Sequence, residues 1–193
     1  LRTITASLAL RHSPNRVNFV LIDYKGGAAF GSCADLPHTV GYVTDLDRSL
    51  AERAIQSLNA ELKRREHLIS VDYKVKDIVD LRALHPDAYC PSLLIIIDEF
   101  AALSKELPEF IDRIIDIAQR GRSLGVHLVL ATQRPSGVIS PQIQGNTNLR
   151  IALRTSNASD SNDILEAPIA ASIANGRRGR GYVRIGRVAP MRT

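Results

Sequence analysis

Five aliphatic residues in succession, Leu93-Leu94-Ile95-Ile96-Ile97, run directly into two carboxylates, Asp98 and Glu99. A strand that is apolar at every position has no face to give to water. It belongs inside a parallel sheet covered on both sides. Open α/β sheets bind their ligands just beyond the carboxyl ends of their strands. An acid pair at such an end therefore stands where polar ligands are held. The pair itself is open to two readings. In one, the first acid holds a divalent cation, directly or through water, and the second polarises an attacking water. In the other, both acids only offset the dipole of a following helix.

Two further segments repeat the pattern. Val126-His127-Leu128-Val129-Leu130-Ala131 ends in Thr132-Gln133-Arg134-Pro135, and Val17-Asn18-Phe19-Val20-Leu21-Ile22 ends in Asp23-Tyr24-Lys25-Gly26-Gly27. In a parallel sheet all three ends lie along one edge. One apolar strand stopping at polar residues is ordinary; three together point to a polar-ligand site at that edge, built from Asp23, Asp98, Glu99, Thr132 and Gln133.

The intervening segments alternate between helix and strand. Leu1 to about His12 reads as a helix with Leu1, Ile4, Leu8 and Ala9 on one face. His38 to Val43 reads as a short strand. Asp45 or Asp47 can cap a long helix to about Leu68 whose inner line is Leu50, Ala54, Leu58 and Leu62, broadened by Ile55. A short helix is expected near Lys76 to Leu84. Pro108 suits the first turn of a helix with an apolar face of Phe110, Ile111, Ile114, Ile115, Ile117 and Ala118, and Gly125 suits its stop. Residues 133–147 read as loop, Leu149 to Leu153 as a strand, Ser159 or Asp160 to Leu165 as a short helix, and Tyr182 to Ile185 as the last strand. This order places the chain in the α/β class with a mostly parallel sheet and helices on both faces.

At 193 residues a single domain, 1–193, is the default. Hydrophobic residues make up 45% and charged residues 23%, ordinary for a globular protein. No apolar run approaches the roughly 20 residues that span a bilayer, and the first ten residues do not have the layout of a signal peptide. The chain does not begin with Met, and the expectation is an excised fragment. Cys33 and Cys90 lack metal-ligand spacing and are expected to stay reduced in a cytosolic protein. The net charge is +5. Arg177, Arg178, Arg180, Arg184, Arg187 and Arg192 crowd the end of the chain, as a phosphate-binding surface or as a solvated face or linker. Only Tyr182 interleaves with them, which argues against a platform for single-stranded nucleic acid.

Read in order, Leu21-Ile22-Asp23-Tyr24-Lys25-Gly26-Gly27-Ala28-Ala29-Phe30, Leu36-Pro37-His38-Thr39-Val40-Gly41, Glu61-Leu62-Lys63-Arg64-Arg65-Glu66, Ile97-Asp98-Glu99-Phe100 and Gly121-Arg122-Ser123-Leu124-Gly125 through Pro135 resemble the FtsK/SpoIIIE family of P-loop ATPases, and within it the EccC branch of type VII secretion motors. The resemblance covers nearly the whole chain. It implies a RecA-like motor domain with ATP and Mg²⁺ as cofactors. Asp98 matches the acid that coordinates the metal, Glu99 the catalytic glutamate, and Gln133, with Thr132, the sensor of the terminal phosphate. Asp23 and Lys25 fall beside the nucleotide; Lys25 reads as a phosphate or partner contact or as a solvated loop lysine. An arginine reaching a neighbour's nucleotide is also implied, with Arg64, Arg65, Arg120 and Arg122 as candidates and Arg122 taken as the catalytic one. Asn148 and Arg150 fall in the strand that follows the sensor.

The resemblance further implies a homo-oligomeric ring or tandem ATPase domains, in the cytoplasmic part of a membrane secretion complex that moves small helical proteins. The alternatives are a DNA translocase, with DNA as partner, and a degenerate domain that binds substrate or regulates a neighbour. One departure is plain: no G-x-x-x-x-G-K-S/T stretch occurs in these residues. The expectation is that the sequence begins just past that phosphate-binding loop, and that these residues alone bind ATP weakly or not at all.

Overall fold

Successive side chains of a strand face opposite sides, so a strand apolar on both needs two covers. The computed structural model, which describes residues 1–24, 29–44 and 47–193, meets that need with one four-stranded parallel sheet. Its strands are β1 (Val17–Asp23), β2 (Thr39–Thr44), β3 (Ser92–Asp98) and β4 (Val126–Leu130), in the order β2-β1-β3-β4. The register is in step at the carboxyl ends: Asp23 pairs with Asp98, and Ile97 with Leu130.

Parallel strands require crossovers, and helices supply them. The first helix, α1 (Arg2–Arg11), precedes β1. The crossover from β2 to β3 carries α2 (Arg48–His67) and α3 (Ile78–Leu84); that from β3 to β4 carries α4 (Phe100–Glu106) and α5 (Pro108–Gly121). One face of the sheet buries Val17, Phe19, Leu21 and Ile96 with Phe30 and Cys33, under Leu1 and under Leu8 and Ala9 of α1. Ile22, Ile95 and Ile97 alternate to the other face and are equally buried. There α5 packs on β4 and against α2. The parallel α/β architecture with helices on both faces is thus as expected.

Local chemistry sets the ends of these elements. The Asp47 carboxylate accepts from the Leu50 N–H at 2.7 Å and starts α2; Asp45 lies outside the described residues. Pro108 occupies the first turn of α5, and Gly125, at φ 76°, turns the chain into β4. Gly121 is required by close approach: a Cβ there would stand 2.7 Å from the Val126 Cβ.

Two helix faces differ from expectation. In α1 the fully buried residue is Thr5, whose hydroxyl donates to the Leu1 carbonyl, while Ile4 is largely exposed. In α2 the inner line is Ala51, Ile55, Leu58, Leu62 and Arg65. It keeps the expected 3.6-residue period but is rotated, because Arg65 takes an interior place.

The chain divides into two compact units, Leu1–Thr132 and Gln133–Thr193. The second contains α6 (Pro141–Asn146), α7 (Ala158–Leu165) and a separate antiparallel sheet of β5 (Leu149–Leu153), β6 (Gly181–Ile185) and β7 (Met191–Arg192), in that order. The two strands expected late in the chain form, but they pair with each other rather than extend a parallel sheet. Ala152, Leu165, Ala170 and Ile173 are its core. Arg150 and Arg184, opposite one another on β5 and β6, both pair with Glu166 at 2.7 and 2.8 Å. No helix among the described residues is long and apolar enough to cross a membrane.

Candidate functional site at the carboxyl edge of the parallel sheet

Strand β3 ends at Asp98, and the next residue bends the chain sharply. Glu99 has φ 52° and ψ 44°, the left-handed region. For a residue other than glycine this conformation costs about 1–2 kcal/mol. The turn is held from the neighbouring strand: the Ala131 N–H donates to the Ile97 carbonyl and the Phe100 N–H to the Ala131 carbonyl, each at 2.9 Å. Glu99 precedes α4, yet its side chain caps no helical N–H. Its Oε1 accepts instead from the Thr132 hydroxyl at 3.3 Å. The reading of this acid as a mere helix-dipole partner therefore does not describe its carboxylate, which is buried and engaged at the end of β4.

Asp23 lies beside Asp98 in register. It is buried, and its Oδ2 accepts from the Ala29 N–H at 2.7 Å. Burial raises the Asp98 carboxyl above the ordinary aspartate range, and the charges of Asp23 and Glu99 push the same way, against one hydrogen bond from the Glu99 backbone. Carboxylates crowded in this way gain from an external cation, and the oxygen set suits a hard one. Among the described residues no three or more His, Cys, Asp or Glu side chains form a metal cage. At the same edge the Tyr24 hydroxyl donates to the Glu106 carboxylate, which raises the phenol to about 12.

The structure thus brings Asp23, Asp98, Glu99 and Thr132 to one edge. Gln133 follows Thr132 in the chain and begins the second unit, where Arg150 lies on β5. Lys25 lies outside the described residues. Arg122 stands at the opposite edge, in the turn that leads into β4. It is exposed and has no ion-pair partner among the described residues. The other three arginines are engaged. Arg64 is paired with Glu61, and Arg120 with Asp116 and Asn59. Arg65 is 2% exposed and donates to Glu61 and to the carbonyls of Leu124 and Pro91. It ties α2 to the starts of β3 and β4 and does not reach outward. Its spacing, three residues after Leu62 and seven after Leu58, was the sequence signal for an interior position.

The FtsK/SpoIIIE family model matches residues 1–137. The chain belongs to the FtsK/SpoIIIE family. Similarity to individual proteins extends further. The type VII secretion system protein EssC of Staphylococcus aureus is 42% identical over 190 residues, 96% of this chain and 13% of EssC. The cytoplasmic domain of the type VII secretion ATPase EccC of Thermomonospora curvata superimposes with a TM-score of 0.88 at 34% identity, covering 99% of this chain and 23% of that one. ATPases 2 and 3 of the same EccC, solved in complex with a signal sequence peptide, superimpose with a TM-score of 0.78 at 26% identity, over 97% of this chain and 35% of that one. The chain spans about an eighth of the length of its curated relatives.

Proposed function

We propose that this chain is part of an ATP-hydrolysing motor domain of a type VII secretion system, working at the cytoplasmic face of a membrane complex. The observation that carries the reading is Glu99: a buried carboxylate, set one residue beyond Asp98 by a strained turn and held by Thr132. Asp98 is the residue that would hold Mg²⁺. Magnesium in nucleotide sites takes one or two carboxylates and otherwise phosphate oxygens and water, which fits this donor set. Bound there, the metal supplies neutralisation of charge on the terminal phosphates.

The chain's own residues do the rest. Glu99 orients the attacking water and accepts its proton at a carboxylate oxygen. The Thr132 hydroxyl fixes that carboxylate, and Gln133 senses the terminal phosphate. Asp23 and Lys25 border the nucleotide. Arg122, exposed at the opposite edge, serves the nucleotide of an adjacent ATPase unit in a ring or tandem array. The similarity to EccC bound to a signal sequence peptide supports a cargo that carries such a peptide; a small helical protein is the cargo proposed.

In the complete protein, Glu99→Gln should keep ATP binding near the parent affinity and lower turnover at least about a hundredfold, the usual contribution of a positioned base. A variant that hydrolyses ATP at the parent rate removes Glu99 from the mechanism.

A further inference from the structure

We propose that a hollow at the amino-terminal edge of the parallel sheet, remote from the carboxylates, binds an oxyanion of the phosphate class. The hollow lies between the segment entering β1 and the segment from α3 to β3. It encloses about 300 Å³ and is lined in part by Ser13, Asn15, Arg16, Arg82, Asp87 and Tyr89. That volume is at the small end of the ~300–1,000 Å³ range of small-molecule sites.

Two guanidinium groups define its charge. Arg82 is half-buried and held in place, donating from Nη2 to the Ser92 hydroxyl at 2.9 Å and to the Cys90 carbonyl at 3.4 Å. Neither contact carries a negative charge, and no carboxylate pairs with Arg82 or Arg16 among the described residues. Burial holds the Arg82 guanidinium below the ordinary arginine range; Cys90 opposes this, and Arg16 and Arg65 press it the same way as burial. A desolvated cation beside like charges, without a counter-ion, is a costly arrangement that a bound anion relieves. The planar forks of two arginines suit the oxygens of a phosphate, and Ser13 and Asn15 add neutral donors. Asp87 opposes an anion, but with one charge against two. Tyr89, 60% exposed at the rim, offers a ring on which a nucleobase can stack. The phosphate therefore has two sources, the free ion or a nucleotide, and the same measurements separate them.

The test is titration calorimetry with inorganic phosphate, ADP and adenosine, in chelator without Mg²⁺ and at constant ionic strength. The expected result is phosphate binding that Arg16→Gln and Arg82→Gln each weaken by about tenfold. Arg113→Gln, on another face of the unit, should leave it unchanged. ADP tighter than phosphate, with the gain lost in Tyr89→Ala, identifies a nucleotide site; equal affinities identify a site for the free ion. Should Arg82→Gln loosen the fold through Ser92, Arg16→Gln decides alone, because Arg16 is exposed. Phosphate binding no stronger than chloride, or unaltered in Arg16→Gln, overturns the proposal.

Discussion

At the carboxyl edge of the first unit Asp23, Asp98 and Glu99 crowd like charges together, two of the three buried. In the second unit the carboxylate of Glu166 stands between Arg150 and Arg184 and pairs with both. The compositions follow suit: residues 133–193 hold nine arginines against three acids, while residues 1–132 hold sixteen basic and seventeen acidic residues. The first unit has a deep aliphatic core and can carry an edge that charge repulsion destabilises. The second buries Ala152, Leu165, Ala170 and Ile173 at its centre, and opposite charges hold its strands to the turn after α7. Clustered charge in one unit is a cost, which the proposed function assigns to ligand chemistry; in the other it is part of the frame.

If the carboxylate edge is built to receive positive charge from outside, an arginine of a neighbour is one source. Arg122→Ala should lower ATP turnover of the complete motor by about a thousandfold or more, the range measured for such arginines. Mixing Arg122→Ala with Glu99→Gln subunits should restore activity that neither has alone. Silence of every mixture would place the function of Arg122 elsewhere.

Core truncation is the next largest effect and tests whether the aliphatic core supports the first unit. Ile114, fully buried on α5, should cost about 3 kcal/mol when changed to Ala. Ile173→Ala in the second unit should cost less, because Ile173 is not fully enclosed and its unit buries fewer aliphatic side chains. Hydrogen exchange read separately over each unit distinguishes the two; equal losses would erase the contrast.

The first unit was also the more legible in sequence, and for the same reason. A strand apolar at every position, such as Leu93 to Ile97, has one home. Pro108 and Gly125 mark helix ends by local chemistry, and the start of α2 is narrowed to Asp45 or Asp47. The helix after Glu99 enters the sequence reading only as the alternative in which the acids offset a helix dipole, since Phe100 to Leu103 is apolar without a start signal and the turn depends on a left-handed glutamate. In the second unit Leu149-Arg150-Ile151-Ala152-Leu153 alternates, the mark of a strand with two unlike faces and an antiparallel partner. The sequence reading makes it a strand without giving it a direction. Helix α6, six residues among Pro, Gln, Gly and Asn, and the two-residue β7 are too short to leave a period. Of the site, Asp23, Asp98, Glu99 and Thr132 followed from strand ends alone; the Thr132–Glu99 bond is a tertiary event with no sequence pattern.

Removing Arg150 probes the charged frame of the second unit. Its side chain is 13% exposed, and besides Glu166 it donates to the carbonyls of Gln144 and Thr147. Arg150→Ala should destabilise that unit by about 2 kcal/mol, chiefly through the lost bonds to these two carbonyls and to Glu166. Arg150→Lys should recover little of it, because an ammonium cannot reach all three acceptors in the plane of a guanidinium. Full rescue by Lys would mean that charge alone, not the fork, holds β5.

The smallest effect has the opposite sign. Asp98 has a higher pKa in the fold than in the unfolded chain, chiefly from burial and then from Asp23 and Glu99. Between those two values the folded chain holds more protons than the unfolded one, so stability falls as pH rises through that window, and the penalty persists above it. Asp98→Asn removes the charge and the penalty together. Its melting temperature at pH 7 should exceed that of the parent by about 1–3 °C, the shift expected for a fraction of a kcal/mol in a chain of this size. The advantage should shrink on acidification and vanish well below about pH 4, where the parent carboxyl is protonated in both states. Glu166→Gln should do the reverse. Its carboxyl is held below the ordinary glutamate range by Arg150 and Arg184, so its support is present above the unfolded value and lost as pH falls through the folded one. Melting curves of both variants between pH 3 and 8 separate the two signs. A destabilised Asp98→Asn would mean that the edge is supported by its carboxylates, and the contrast between the two units would fail at its first term.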